Sequence, residues 1–150
     1  IAATFVQHSY AQQEVIGENE TQSAVKWDFR IVMVEKGVYE LQAAATIKPS
    51  FHLWALNAGG DGTLIPTSIS VFRNYIDWVD EWKESKEPHV LTYEFVEGAV
   101  RFFSEDVVFS RRFKSKRPIK INGSLEFQTC NDNMCFPPES IDWEAVYTKP

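Results

Sequence analysis

In the segment VKWDFRIVM, apolar and polar residues alternate with a period of two. Val25, Trp27, Phe29, Ile31 and Met33 fall on one side, and Lys26, Asp28 and Arg30 on the other. An extended strand sorts residues this way, because its successive side chains point to opposite faces. The pattern returns after the turn at Glu35–Gly37, where VYELQAAATI groups Tyr39, Leu41, Ala43, Ala45 and Ile47. SFHLWAL then sets Phe51, Leu53 and Ala55 against His52, Trp54 and Leu56, before a loop, NAGGDGTLIPTS, rich in Gly-Gly and Asp-Gly turn signals. SISVF, HVLTYEF, AVRFF, DVVFSRRF, IKI, SLEFQT and IDWEAVY extend the series. Roughly eight to ten short strands with closely spaced turns predict an all-β chain, folded as an antiparallel sandwich or barrel. Trp143, in IDWEAVY, is expected in its core.

One stretch departs from the period. NYIDWVDEWKESKEP carries Tyr75, Trp78, Val79 and Trp82 at helical spacing, yet the all-β surroundings favour an irregular edge pinned by aromatics over a short helix. Residues 1–23 are polar and weakly patterned and are expected to form a loosely ordered leader, with residues 24–150 as one domain. The chain of 150 residues is long enough to bury a core without a covalent staple, and its 44% hydrophobic and 14% aromatic content suits one. Net charge is −6, with Lys and Arg dispersed except in RRFKSKR (Arg111–Arg117), a balance that argues against a nucleic-acid role. No apolar run approaches the roughly 18 residues of a membrane span, and the opening IAATFVQHSY does not read as a signal peptide.

The two cysteines, Cys130 and Cys135, stand in FQTCNDNMCFPPES. As a structural disulfide they would close a small ring worth roughly 2 kcal/mol, the weak end of the usual range. As zinc ligands they would need about two more, and His8, His52 and His89 do not stand at ligand spacing from one another. As a redox pair they need exposure to a partner thiol, and Asn131, Asp132 and Asn133 supply a polar, turn-prone tip between them. Pro137 and Pro138 keep a helix from starting at Cys135, so the helix N-terminus that lowers a thiol pKa in CxxC enzymes is absent. The nearby Asp132 charge works in the same direction, raising that pKa. A redox pair here would be a poor general attacker that depends on a specific partner.

QTCNDNMCFPPES, with PTSISVF and KPSFHLWAL, resembles the N-terminal periplasmic domain of the thiol:disulfide interchange protein DsbD, in the version of Bacteroidetes-like bacteria. The similarity runs from about Ala24 to Tyr147, and the Cys-to-Pro-Pro-Glu block is its most specific part. The resemblance implies an immunoglobulin-like antiparallel β-sandwich in the periplasm, without cofactor or metal. It implies that Cys135 forms mixed disulfides with partners and that Cys130 resolves them. It implies thioredoxin-fold partners: an upstream donor domain, and downstream acceptors that are disulfide isomerases or a cytochrome c maturation thioredoxin. It leaves room for a transmembrane domain beyond this chain. The family's shielding cap loop corresponds to Tyr93-Glu94-Phe95, with Glu94 as its acidic residue and Phe95 as the shield, and His52 and Trp54 fall on the strand that lines the cysteines.

The chain departs from the best-known members in four places. Four residues separate its cysteines instead of five, His52 stands where a Tyr is expected, and Ser50 replaces a Gly. NYIDWVDEWKESKEP has no clear counterpart. A rival expectation is a non-enzymatic immunoglobulin-like binding or adhesion module, with exposed Trp78 and Trp82 as its platform and a disulfide that only braces a loop.

Overall fold

A computed structural model of the chain describes residues 23–73, 75–94 and 96–149. Among them the chain forms strands and turns and no helix, hence no helix able to cross a membrane. In chain order the strands are β1 (Val25–Glu35), β2 (Val38–Ile47), β3 (His52–Gly59), β4 (Ser68–Val71), β5 (Asp77–Trp78) and β6 (Lys83–Glu84). They continue as β7 (His89–Tyr93), β8 (Val96–Phe103), β9 (Val107–Lys114), β10 (Lys120–Phe127), β11 (Thr129–Cys130) and β12 (Glu139–Val146). All pair antiparallel, in three sheets: β1-β2-β9-β5 with β6 also on β9, β12-β10-β4, and β11-β3-β8-β7. The result is the immunoglobulin-like β-sandwich expected from the sequence.

The alternation in β1 and β2 exists because one face of their sheet closes the main core. Tyr39, Leu41, Ala43, Ala45 and Ile47 are all buried. The small residues have a purpose in the register: Ala45 lies opposite Trp27 and Ala43 opposite Phe29, which leaves room for the two rings. Those rings reach the second sheet. Phe29 stacks on Trp143 at 4.5 Å and Trp27 meets Phe127 edge-on at 5.4 Å. Trp143 is a core residue, as expected. The second sheet also needs a glycine at 123, where a Cβ would sit 1.9 Å from the Ser70 carbonyl oxygen.

The stretch with helical spacing is an edge. Its two short strands take backbone partners on β9, with Asp77 opposite Lys114 and Lys83 opposite Ser110. Between them Asp80 accepts from Arg111 through its carbonyl and from the Arg112 N–H through its carboxylate. Trp78 packs on Phe113 at 6.0 Å and on Trp82 at 6.1 Å, and the Arg111 guanidinium covers its ring at 4.3 Å. Both tryptophans are half-buried against the core. That corrects the expectation of an exposed aromatic platform: the rings are spent on pinning the edge.

Strand β3 is covered on both faces. Leu53 and Ala55 enter the main core, whereas Trp54 and Ala58 belong to a second cluster with Leu64, Val96, Val100, Phe102 and Cys130. This satellite core carries the cysteines.

Candidate functional site

After β10, Gln128 leads into β11, where Thr129 pairs with Leu53 and Cys130 with His52. The chain then reverses. Asn131 fixes the turn: its N–H donates to the Met134 carbonyl at 2.8 Å, and its Oδ1 accepts from the N–H groups of Asn133 at 2.9 Å and Met134 at 2.8 Å. A side-chain amide that accepts backbone N–H groups two and three residues ahead is the usual reason for Asn at such a tip. The return arm places Cys135 opposite Cys130, and the Phe136 N–H donates to the Thr129 carbonyl at 2.9 Å. The disulfide Cys130–Cys135 thus crosses a small hairpin, with its Cα atoms 3.9 Å apart. Pro137 and Pro138 end the arm, since neither has an N–H to extend a ladder.

A buried amide braces this hairpin from behind. Gln128 Oε1 accepts from the Ile65 N–H at 2.9 Å, and Nε2 donates to the Phe136 carbonyl at 3.2 Å. Both capacities are used, which is what a buried polar side chain requires. The two sulfurs end in unequal surroundings: Cys130 is 4% exposed within the satellite core, while Cys135 is half-buried at its margin.

The disulfide opens on a cavity of about 390 Å³. Trp54, 1% exposed, underlies it; His52 and Tyr93 form walls; and Asn131 to Met134 form the lip, with Met134 55% exposed. The His52 ring meets Phe102 edge-on at 4.7 Å. Its Nδ1 lies 3.1 Å from Ser104 Oγ and its Nε2 lies 3.4 Å from Asp132 Oδ1. His52 therefore links the fixed strand β3 to the cysteine turn. Burial, and after it the Asp132 charge, push the Tyr93 phenol above its ordinary range, so this wall is a neutral hydroxyl. Among the described residues no group of three or more His, Cys, Asp or Glu is placed to hold a metal ion.

The structure brings Cys130, Cys135, His52 and Trp54 to one cavity. Glu94 is exposed in the turn after β7 and does not line it, and Phe95 lies outside the described residues, as do residues 1–22 of the expected leader 1–23. Sequence reasoning missed Tyr93 as a wall, Ser104 as a partner of His52, and Met134 as an exposed apolar lip. The CND start of the turn signals Asn131; nothing local signals Ser104, which is 52 residues from His52.

No protein-family model matches the chain, and no curated protein matches it in sequence. Solved structures do match in fold. The N-terminal periplasmic domain of ScsB from Proteus mirabilis superposes with a TM-score of 0.56 at 16% identity, over 81% of this chain and 46% of that one. The reduced N-terminal domain of DsbD from Neisseria meningitidis superposes with a TM-score of 0.50 at 12% identity, over 85% of this chain and 91% of that one. The chain spans less than half the length of the ScsB structure. At these identities the similarity is one of fold.

Proposed function

We propose that the chain is a thiol:disulfide relay domain of the periplasm, a protein-disulfide reductase module whose chemistry is confined to Cys130 and Cys135. The observation that carries the reading is the pair's setting: one sulfur buried, the other half-exposed, both at the mouth of an apolar-floored cavity. Exchange requires access to one sulfur, and a disulfide that only braced a loop would need no cavity. The fold shared with ScsB and DsbD N-terminal domains is consistent with this reading.

In the reduced state, Cys135 as thiolate attacks the disulfide of a thioredoxin-fold acceptor. One acceptor sulfur leaves as a thiolate and a mixed disulfide forms at Cys135. Cys130, as thiolate, then attacks Cys135 Sγ. The acceptor departs as a dithiol, carrying two electrons, and two protons go with its sulfurs. The Cys130–Cys135 disulfide remains until a thioredoxin-fold dithiol donor reduces it by the reverse exchange. Acceptors of the isomerase and cytochrome c maturation kinds suit this chemistry. Tyr93 borders the cavity from the end of β7, so the Glu94-Phe95 segment that follows is a reasonable cap, one that would shield the thiols from stray oxidants.

Two measurements test the relay. Reduced Cys130→Ala, offered thioredoxin-fold disulfides, is expected to accumulate a mixed disulfide through Cys135, whereas Cys135→Ala should trap far less because Cys130 is buried. The reduction potential of the wild-type pair is expected above about −300 mV; a lower value marks a structural bond that resists thiol pools, and would sink the proposal.

A further inference from the structure

The RRFKSKR run at the end of β9 is not used by the cysteine site. Arg111 and Arg112 are occupied by Glu81 and Glu40. Lys114 and Lys116 instead line depressions at a pole of the sandwich that also holds Lys36, in the β1–β2 turn, and Arg73, and Arg117 follows in the same turn, its carbonyl accepting from the Ser115 hydroxyl. The Ser115 N–H donates to the Gly37 carbonyl at 3.0 Å, and Asp77 lies opposite Lys114 in the β5–β9 backbone ladder, which ties the three segments together. Shallow depressions of about 510 Å³ and about 690 Å³ share Tyr75, Asp77, Lys114 and Ser115. None of these five cations forms an ion pair with another described residue. Arg30, Lys83, Lys86, Arg111, Arg112 and Lys120 elsewhere each face a carboxylate. Among the residues that line the two depressions Asp77 is the one carboxylate, in a chain whose net charge is −6.

Apolar side chains stand out among these cations. Tyr75 is 75% exposed and Phe72 55%, and Met33 and Val34 project near the tip of the β1–β2 hairpin. Exposed rings and aliphatic tips set in a ring of unpaired cations are what an anionic bilayer surface selects. The headgroups attract the charges, and the apolar tips enter the interface.

We propose that this cationic pole docks on an anionic membrane surface. The cysteine pair lies at the other end of the sandwich: His52 meets Ser104 beside the β8–β9 turn, and Lys114 is a full strand of β9 away, about 20–25 Å. Docking would therefore turn the disulfide cavity outward, toward soluble partners. This reading is independent of the cysteine chemistry, and a Cys130→Ala/Cys135→Ala protein should bind equally well.

The test is cosedimentation of the 150-residue protein with vesicles of phosphatidylcholine alone, or with about one third phosphatidylglycerol, at about 0.1 M salt. Binding is expected only to the anionic vesicles. Lys114→Glu/Lys116→Glu should weaken it by at least about 25-fold, from about fivefold per cation lost near the surface. Phe72→Ser/Tyr75→Ser should also weaken it, and Lys86→Glu, near the disulfide end, should not. The disulfide of bound protein should stay open to dithiothreitol at its free rate. Equal binding to both vesicles, no binding to either, an equal loss with Lys86→Glu, or a disulfide shielded on the vesicle would each overturn the proposal. Binding to soluble polyglutamate without vesicle binding would overturn it in favour of an acidic protein partner.

Discussion

His52 and Asn131 hold the cysteine turn in different ways, and the difference can be measured. Asn131 supplies the acceptor for two backbone N–H groups, whereas His52 tethers the turn through Asp132, whose side chain is exposed. An exposed polar contact of this kind is worth about 0.2–1 kcal/mol, so His52→Phe, which keeps a ring against Phe102, should raise amide exchange at Asn133 and Met134 about 1.4-fold to fivefold. Asn131→Ala removes both acceptors and should raise it further. Equal, unchanged exchange in the two variants would show that the disulfide alone fixes the turn. Cys130 and Cys135 were legible as the candidate chemical centre because they are the chain's two cysteines and flank a polar tip. Their unequal burial was not legible, because it depends on Trp54, Val100 and Phe102, residues brought together from β3 and β8.

At the scale of elements, the β5–β6 edge shows how a local period can be overruled. Its aromatic spacing suits a helix, but backbone partners on β9 and the Arg111 and Arg112 contacts to Asp80 outweigh that preference. The edge is fastened to β3 by Glu84, whose Oε2 accepts from the Leu56 N–H at 2.9 Å. Burial holds the Glu84 carboxyl above its usual value of 4.5, opposed by the Leu56 N–H and reinforced by Glu87. A raised carboxyl pKa means that the folded state binds the proton more tightly than the unfolded chain. Its contribution to stability is complete below 4.5 and is lost as pH rises through the folded value. Glu84→Gln keeps an acceptor for Leu56 and removes the buried charge. At neutral pH it should match or exceed wild-type stability, by about 0.5 kcal/mol or less given solvent screening, and the margin should close on acidification. Urea titrations at two pH values check this; a clear loss at neutral pH would show that the charge itself strengthens the fastening.

The whole molecule is built on a large core between sheets and a satellite core under the cysteines, joined through β3. Because the main core does not contain the disulfide, Cys130→Ala/Cys135→Ala should fold cooperatively with a loss of about 2 kcal/mol, measured by urea denaturation. A loss above about 5 kcal/mol would mean that the satellite core collapses with its disulfide. By itself the sequence determined that the chain is all-β and antiparallel, since a period of two is a local property that survives in any β arrangement, and it singled out Cys130 and Cys135 as the candidate site. Tertiary structure alone decided that both faces of β3 are buried, that His52 meets Ser104 and Asp132, and that the unpaired cations gather at the pole away from the disulfide. The reason is physical: each of these is a contact between segments distant in the chain, fixed by strand register and sheet order, and no local pattern encodes either.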